Sequence, residues 1–426
     1  MEATAPLRYP DAMTDSADQA LAAQYEALPY PARDPREEAR RLIVGSPSHL
    51  LEIDHWIFGA RRPAAQPLRA LMAGGGSGDG TLMLAQQMAW RDRAGDVTWL
   101  DRSARARQLA MARAATRGLG NIRFEQGSLL ELAGSGLGPF DYIDCCGVLH
   151  HLPDPAAGLA ALTSVLAPGG GIGLMVYAPH GRTGVYPLQQ ALHLLAPPEE
   201  TPAARVEVAR RVWKTLPETA WLKKNPFIDD HLKGGDAGLY DLLLNPRDRA
   251  FTVAELAALV DGAGLEIVCL VEPLRYDPDI YLADPRLRAR AAGLGAVGRA
   301  ALAEALAGNM GIHIAYCVRR GAVVAPDWTA DDGVPVLREL DGPTLARGLR
   351  PDGVLPVTFD GIMVKVPMPR LAGAFLSRVD GLRSWGAIAA EVASVAGAEA
   401  AARDRRALVQ ALAPLNRLLL AAPSRA

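Results

Sequence analysis

The stretch Leu68-Arg69-Ala70-Leu71-Met72-Ala73-Gly74-Gly75-Gly76-Ser77-Gly78-Asp79-Gly80 is an apolar run of strand length that dissolves into glycines. A helical pattern follows from Thr81 to Trp90, so the segment reads as a strand, a tight turn and a helix. Glycine lets the backbone turn sharply and lets a ligand approach the main chain, because no Cβ stands in the way. Amides at the start of the following helix point toward such a ligand. A dinucleotide-binding loop, G-x-G-x-x-G, would occupy the same place. Here the sixth position from Gly74 is Asp79, whose carboxylate sits poorly beside a pyrophosphate, and the pattern is G-x-G-x-G instead.

Downstream, the alternation repeats. Val97 to Leu100, Ile122 to Phe124, Tyr142 to Cys146 and Ile172 to Tyr177 are further strand-like runs, with helical patterns at Ala104 to Arg117 and Ala156 to Leu166 and a turn at Pro168-Gly169-Gly170-Gly171. Five strands alternating with helices imply right-handed crossovers and a sheet covered on both faces. The rhythm breaks over residues 179–251, read as an inserted lid or substrate element. It resumes with a helix at Val253 to Asp261 and two strands, Leu265 to Val271 and Ile312 to Val318, around a helical insertion from Asp284 to Leu306. The expected fold class is α/β: a doubly wound, mostly parallel seven-stranded sheet with helical insertions. Ligands belong beyond the carboxyl ends of its strands, where Asp101 can accept hydrogen bonds from ribose hydroxyls or, alternatively, cap a helix.

Four motifs in order and spacing resemble those of class I S-adenosyl-L-methionine-dependent methyltransferases, whose fold is Rossmann-like. Met72 to Gly80 is similar to the family's first motif, Leu100-Asp101 to its second and Phe124-Glu125-Gln126-Gly127-Ser128-Leu129 to its third. Phe140 to Leu152 resembles its fourth, and Leu166-Ala167-Pro168-Gly169-Gly170 the turn before the fifth strand. The resemblance implies S-adenosyl-L-methionine as cofactor. It implies that Gly74, Gly76 and Gly78 contact the methionine part and Asp101 the ribose, that Ser128 and Leu129 flank the adenine, and that Gly75, Ser77, Asp79, Arg102 and Cys146 also belong to the cofactor site. Two departures stand out, Met72 where the family often has an acidic residue and Ser128 where it often has aspartate. Over residues 25–58, and at Arg182 to Tyr186, the chain looks like a bacterial subgroup of unassigned substrate.

Methyl transfer from a sulfonium is a direct displacement, needing alignment and, for many acceptors, removal of a proton. No metal is required, and none is expected. His150 and His151, just past the fourth strand, are the catalytic candidates, with a helix-entry role as the alternative. Tyr25, Tyr30, Arg33, Arg182, Tyr186 and His231 are candidates for the substrate pocket, the tyrosines being equally suited to anchoring proline-rich loops. Adjacent strand residues point to opposite faces, so Cys145-Cys146 reads as core packing rather than a metal pair. Asp230, His231, Asp236 and Asp241 could line a substrate pocket or coordinate a metal, but their irregular spacing favours polar surface of the insertion.

The 426 residues suggest two or three units: an N-terminal helical cover over 1–67, weakly helical or frayed to about residue 24; the catalytic unit over 68–325; and a small α+β unit over 333–422. In the last, Val354 to Phe359 and Ile362 to Val366 flank a hairpin turn at Asp360-Gly361, and helices are expected at Arg370 to Val379, Ser384 to Val395 and Asp404 to Leu420. It resembles winged-helix or PqqD-type peptide-chaperone modules, a structural cap or dimerisation element being the alternative. With 45 basic and 47 acidic residues, nothing in the net charge calls for nucleic acid or an anionic membrane. No uncharged run reaches the roughly 20 residues of a membrane span. Four cysteines without CxxC spacing and no secretory signal pattern fit the cytoplasm. The expected activity is methylation of a small molecule or peptide. The rival is a non-catalytic adenosylmethionine-binding protein that recruits a partner, or a second copy, through its C-terminal unit.

Overall fold

The computed structural model describes residues 14–421. Its centre is a seven-stranded sheet made of β1 (Leu68–Ala73), β2 (Gly95–Asp101), β3 (Ile122–Gln126), β4 (Phe140–Cys146), β5 (Leu166–Tyr177), β6 (Leu265–Leu270) and β7 (Ile312–Arg319), in the order β3-β2-β1-β4-β5-β7-β6. The first five run parallel, and β7 is antiparallel to both neighbours. Both faces are covered, which is why the strands read as continuous apolar runs. Leu71 and Ala73 of β1 enter one core with Ile143, Leu149 and Leu162, while Leu68, Ala70 and Met72 enter the opposite one with Leu84 and Met88. Strand order reverses between β1 and β4, so the chain ends leaving these strands diverge and open a crevice.

Several elements differ from their sequence reading. Residues 1–13 of the expected weak start lie outside the described residues, and Thr14–Ala27 is a regular helix. Part of the expected cover is floor instead: the helical turns Leu50–Glu52 and Ile53–Ile57 bury Ile53 and Ile57 in the core beneath the sheet. The turn expected at Pro168 to Gly171 is a bulge inside β5. Phe140 pairs with Leu166 and Tyr142 with Gly171, leaving Ala167 to Gly170 opposite Asp141 alone. Within 179–251, the helices Val185–Leu195, Pro202–Thr215 and Gly235–Leu243 pack around a core of their own that includes Leu188, Leu192, Val206 and Leu239.

Beyond β7 the chain builds a further apolar core around Phe375, Trp385, Ile388 and Leu408. A short strand, β8 (Val334–Leu337), is followed by a hairpin, β9 (Val354–Phe359) and β10 (Ile362–Pro367). The hairpin closes through Asp360 and Gly361, both at positive φ, as a two-residue turn matched to strand twist requires. The last long helix runs over Ala398–Leu412 rather than from Asp404 to Leu420, and Leu418–Ala421 form strand β11, antiparallel to β8. Pro414 cannot continue a helix, and Asn416 adopts the left-handed conformation that turns the chain into β11.

This region is stitched to the floor through Glu52, a fully buried carboxylate. Glu52 pairs with Arg338 and accepts hydrogen bonds from the Asn416 amide at 2.6 Å, the Tyr316 hydroxyl at 2.6 Å and the Ser46 hydroxyl at 3.0 Å. Trp56 donates to Asn416 at 3.0 Å and the Leu420 amide donates to His55 at 2.9 Å. No described helix is long and apolar enough to cross a membrane.

Candidate active site

A cavity of about 750 Å³ opens at the crevice between β1 and β4. Its base is the glycine loop. Gly74, Gly76 and Gly78 all hold positive φ, which side chains disfavour. A Cβ at Gly74 would lie 2.3 Å from Val148, and one at Gly75 would lie 2.2 Å from Trp99. At Gly76 the nearest atom would be 3.5 Å away, leaving room beside the backbone. The buried Trp99 indole donates to the Gly76 carbonyl at 3.1 Å and holds the loop from below.

Asp101 closes the other side of the loop. Its carboxylate accepts the Gly76 amide at 2.8 Å and the Ser103 amide at 2.9 Å, while burial raises its pKa against these hydrogen bonds. Arg102, Ser128, Leu129 and Cys146 line the same cavity. The Ser128 oxygen accepts the Leu130 amide at 3.2 Å, which leaves its own proton free to donate. Asp79 also borders the cavity but is held by Arg33 at 2.6 Å and Arg113 at 2.7 Å. Burial pushes its carboxyl up, and the two guanidiniums more than offset this, leaving it below the usual carboxylate range.

At the far end stand Tyr25, Tyr30, His151, Tyr177 and Asp241. The Tyr25 hydroxyl donates to Asp241 at 3.0 Å, Tyr177 donates to the other oxygen at 3.1 Å, and Tyr30 donates to Asp230 at 3.1 Å. Asp241 is buried rather than a surface residue of the insertion, and burial raises its pKa. Nδ1 of His151 lies 2.6 Å from the Arg247 carbonyl. A carbonyl only accepts, so Nδ1 carries the proton and Nε2 of the neutral ring keeps its lone pair.

Other sequence candidates lie elsewhere. His150 is fully buried, stacked on Tyr177 with ring centroids 4.0 Å apart, and burial keeps it neutral; it does not line the cavity. Arg33 stands outside the lining as the latch on Asp79. Arg182 pairs with buried Asp248 at 2.7 Å and bonds Tyr186 at 3.2 Å, so both brace the insertion behind Tyr177. His231 packs edge-on against Trp213, away from the cavity. Tyr177 and Asp144 are cavity residues that sequence reading missed, and Asp241 takes the pocket-lining alternative rather than the favoured surface one. Asp144, pushed up to about 6 by burial, accepts from Ser48 and the Cys146 amide beside Met72, in the region where the expected acidic residue is missing. A lone acid inside an apolar run, as in Tyr142-Ile143-Asp144-Cys145 or Leu239-Tyr240-Asp241-Leu242-Leu243, is the signal that marked both carboxylates.

Residues 71–172 match the model of a methyltransferase domain family. An uncharacterized protein of Synechococcus is 30% identical over 325 residues, spanning 75% of this chain and 76% of its own length. The ubiquinone biosynthesis O-methyltransferase of Albidiferax ferrireducens is 31% identical over 163 residues, 38% of this chain. The chain belongs to the S-adenosyl-L-methionine-dependent methyltransferases. It spans about three fifths of that O-methyltransferase. PKMT2 of Rickettsia typhi in complex with AdoHcy shares the methyltransferase's fold with a TM-score of 0.60 at 13% identity, covering 89% of this chain and 76% of that one.

The cofactor of the methyltransferase, S-adenosyl-L-methionine, suits the polar groups on this wall. Ser77 and Thr81 border the cavity at the start of the helix Asp79–Trp90, each with a buried hydroxyl that has no partner among the described residues. Two orphaned donors at a helix N-terminus match a carboxylate, and the second lone pairs of Asp101 match a ribose diol.

Proposed function

We propose that this chain transfers the methyl group of S-adenosyl-L-methionine to a nucleophile on a small molecule or peptide by direct displacement. One observation carries the reading: a single cavity joins the glycine loop and Asp101 to a polar chamber formed by Tyr25, His151, Tyr177 and Asp241. Gly74 to Asp79, Asp101, Arg102, Ser128, Leu129 and Cys146 would hold the cofactor, which supplies an electrophilic methyl group on a sulfonium. Backbone amides and the Ser77 and Thr81 hydroxyls would bind its carboxylate, and Asp101 its ribose. His151, through Nε2, would take the acceptor's proton; His150 supports Tyr177 from behind.

The first test is calorimetric titration with S-adenosyl-L-homocysteine, with NADH as control. Micromolar binding of the former alone is expected, and tight NADH binding in its place would overturn the assignment. Asp101→Ala should weaken S-adenosyl-L-homocysteine by about 1–3 kcal/mol, through lost ribose bonds and a slack Gly76 amide. Unchanged affinity would remove Asp101 from the site.

Residues 333–422 read best as an accessory unit of winged-helix or PqqD-like type, supported by a hairpin followed by helices and a separate apolar core. It would present a protein partner, a peptide or a second copy to the catalytic unit, which spans 68–325 and carries the insertion 179–251. Four unpaired cysteines support residence in the cytoplasm.

A further inference from the structure

Asp241 is the cavity carboxylate that stands among the tyrosines, bonded by two of them, whereas the others are tied to the glycine loop, to the helix that follows β2 or to the floor. Asp79 is met by two arginines, and Asp101 by two backbone amides. Asp144 is held by Ser48 and the Cys146 amide, and Glu26 by Ser103. Asp241 is 3% exposed, yet its described donors are the neutral groups of Tyr25, Tyr177 and, at 3.4 Å, Asn245. Arg182, stacked over the Tyr177 ring at 3.7 Å, is already engaged by Asp248. His151 opposes burial at Asp241 but makes no described hydrogen bond to it, and a buried carboxylate without a bonded cation costs several kcal/mol. Burial accordingly drives Asp241 toward its neutral form, a tendency that an incoming positive charge would reverse.

We propose that Asp241 anchors the methyl acceptor and that the acceptor is an alkylamine, held as its ammonium between this carboxylate and the tyrosines lining the same chamber. This rests on the methyl-transfer reading above. Tyrosine rings attract a cation through their electron-rich faces, and Tyr25 and Tyr30 border the chamber, while the Tyr177 ring is already stacked by Arg182 and His150 and contributes its hydroxyl. An acceptor that must become an oxyanion, such as a phenol, would be repelled by the same carboxylate. His151 shares this corner of the cavity with Asp241. One ammonium proton passes to Nε2 of His151, and the freed nitrogen pair forms the N–C bond. The S–C bond breaks with its electrons remaining on sulfur. The products are the N-methylated ammonium, S-adenosyl-L-homocysteine and one proton, which His151 releases to solvent.

The test uses the full chain saturated with S-adenosyl-L-homocysteine, titrated with n-butylammonium, n-butanol and catechol. Wild type is expected to bind n-butylammonium at least about ten-fold more tightly than either neutral probe. Asp241→Asn should keep S-adenosyl-L-homocysteine affinity within about two-fold while losing that preference. The cofactor titration also serves as the folding control, and its failure in wild type would sink the methyl-transfer reading rather than this one. With the cofactor site intact, the amine proposal is overturned if either neutral probe binds as tightly as n-butylammonium. It is equally overturned if no ammonium binds, or if Asp241→Asn retains the preference.

Discussion

Replacing Arg338 with methionine is expected to destabilise the protein by about 3–5 kcal/mol, because it leaves Glu52 buried without its cation. The remaining donors to Glu52, from Asn416, Tyr316 and Ser46, are neutral. Arg338→Met combined with Glu52→Gln should be more stable than Arg338→Met alone, because glutamine keeps an acceptor for these groups and removes the stranded charge. Urea midpoints of the four proteins in this cycle give the coupling directly. Additive effects would show that the pair contributes no specific interaction. Ser46, Pro47 and Ser48 border the cavity, so Arg338→Met should also loosen S-adenosyl-L-homocysteine binding, although residue 338 lies outside the cavity lining.

Gly75→Val is expected to abolish the cofactor site. Even its Cβ would stand 2.2 Å from a Trp99 ring carbon and 2.4 Å from the indole nitrogen, and Trp99 is fully buried with no room to retreat. The overpacking costs about 1–3 kcal/mol of stability. Displacing the loop by an ångström or so should cost on the order of a hundred-fold or more in S-adenosyl-L-homocysteine affinity. Gly120→Ala is the control: it lies at ordinary φ with no atom within 4 Å of the new carbon, and both properties should be unchanged. Near-wild-type affinity in Gly75→Val would mean that the loop does not cradle the ligand.

The sheet and the cofactor end of the site were legible because their constraints are local. A strand buried on both faces reads as a nearly continuous apolar run, and Leu68–Ala73, interrupted by the exposed Arg69 alone, falls where its sequence placed it. A loop that admits a ligand must be glycine, and the three alternating glycines mark it. The acceptor end depends on side-chain direction across elements far apart in the chain. His150 and His151 are adjacent, yet one faces the core and the other the cavity. Asp241 sits on the helix Gly235–Leu243, which is buried on nearly every side, so periodicity defines no inward face on which to place it. Arg182 and Tyr186 have the chemistry of a binding pair, but Arg182 donates to both Tyr186 and Asp248, so the pair is engaged within the insertion. Leu418, Leu419 and Leu420 suit helix or strand alike, so the sequence extends the helix through them, whereas the left-handed Asn416 turns the chain into β11.

The contact between the Trp99 indole and the Gly76 carbonyl gives the protein an optical reporter of its own. This fluorophore, shielded from water, is hydrogen-bonded to the backbone that meets the ligand. A pull on Gly76 should alter the field felt by the indole nitrogen, so occupancy of the glycine loop is expected to shift the emission of Trp99, one of seven tryptophans in the chain, without any added label.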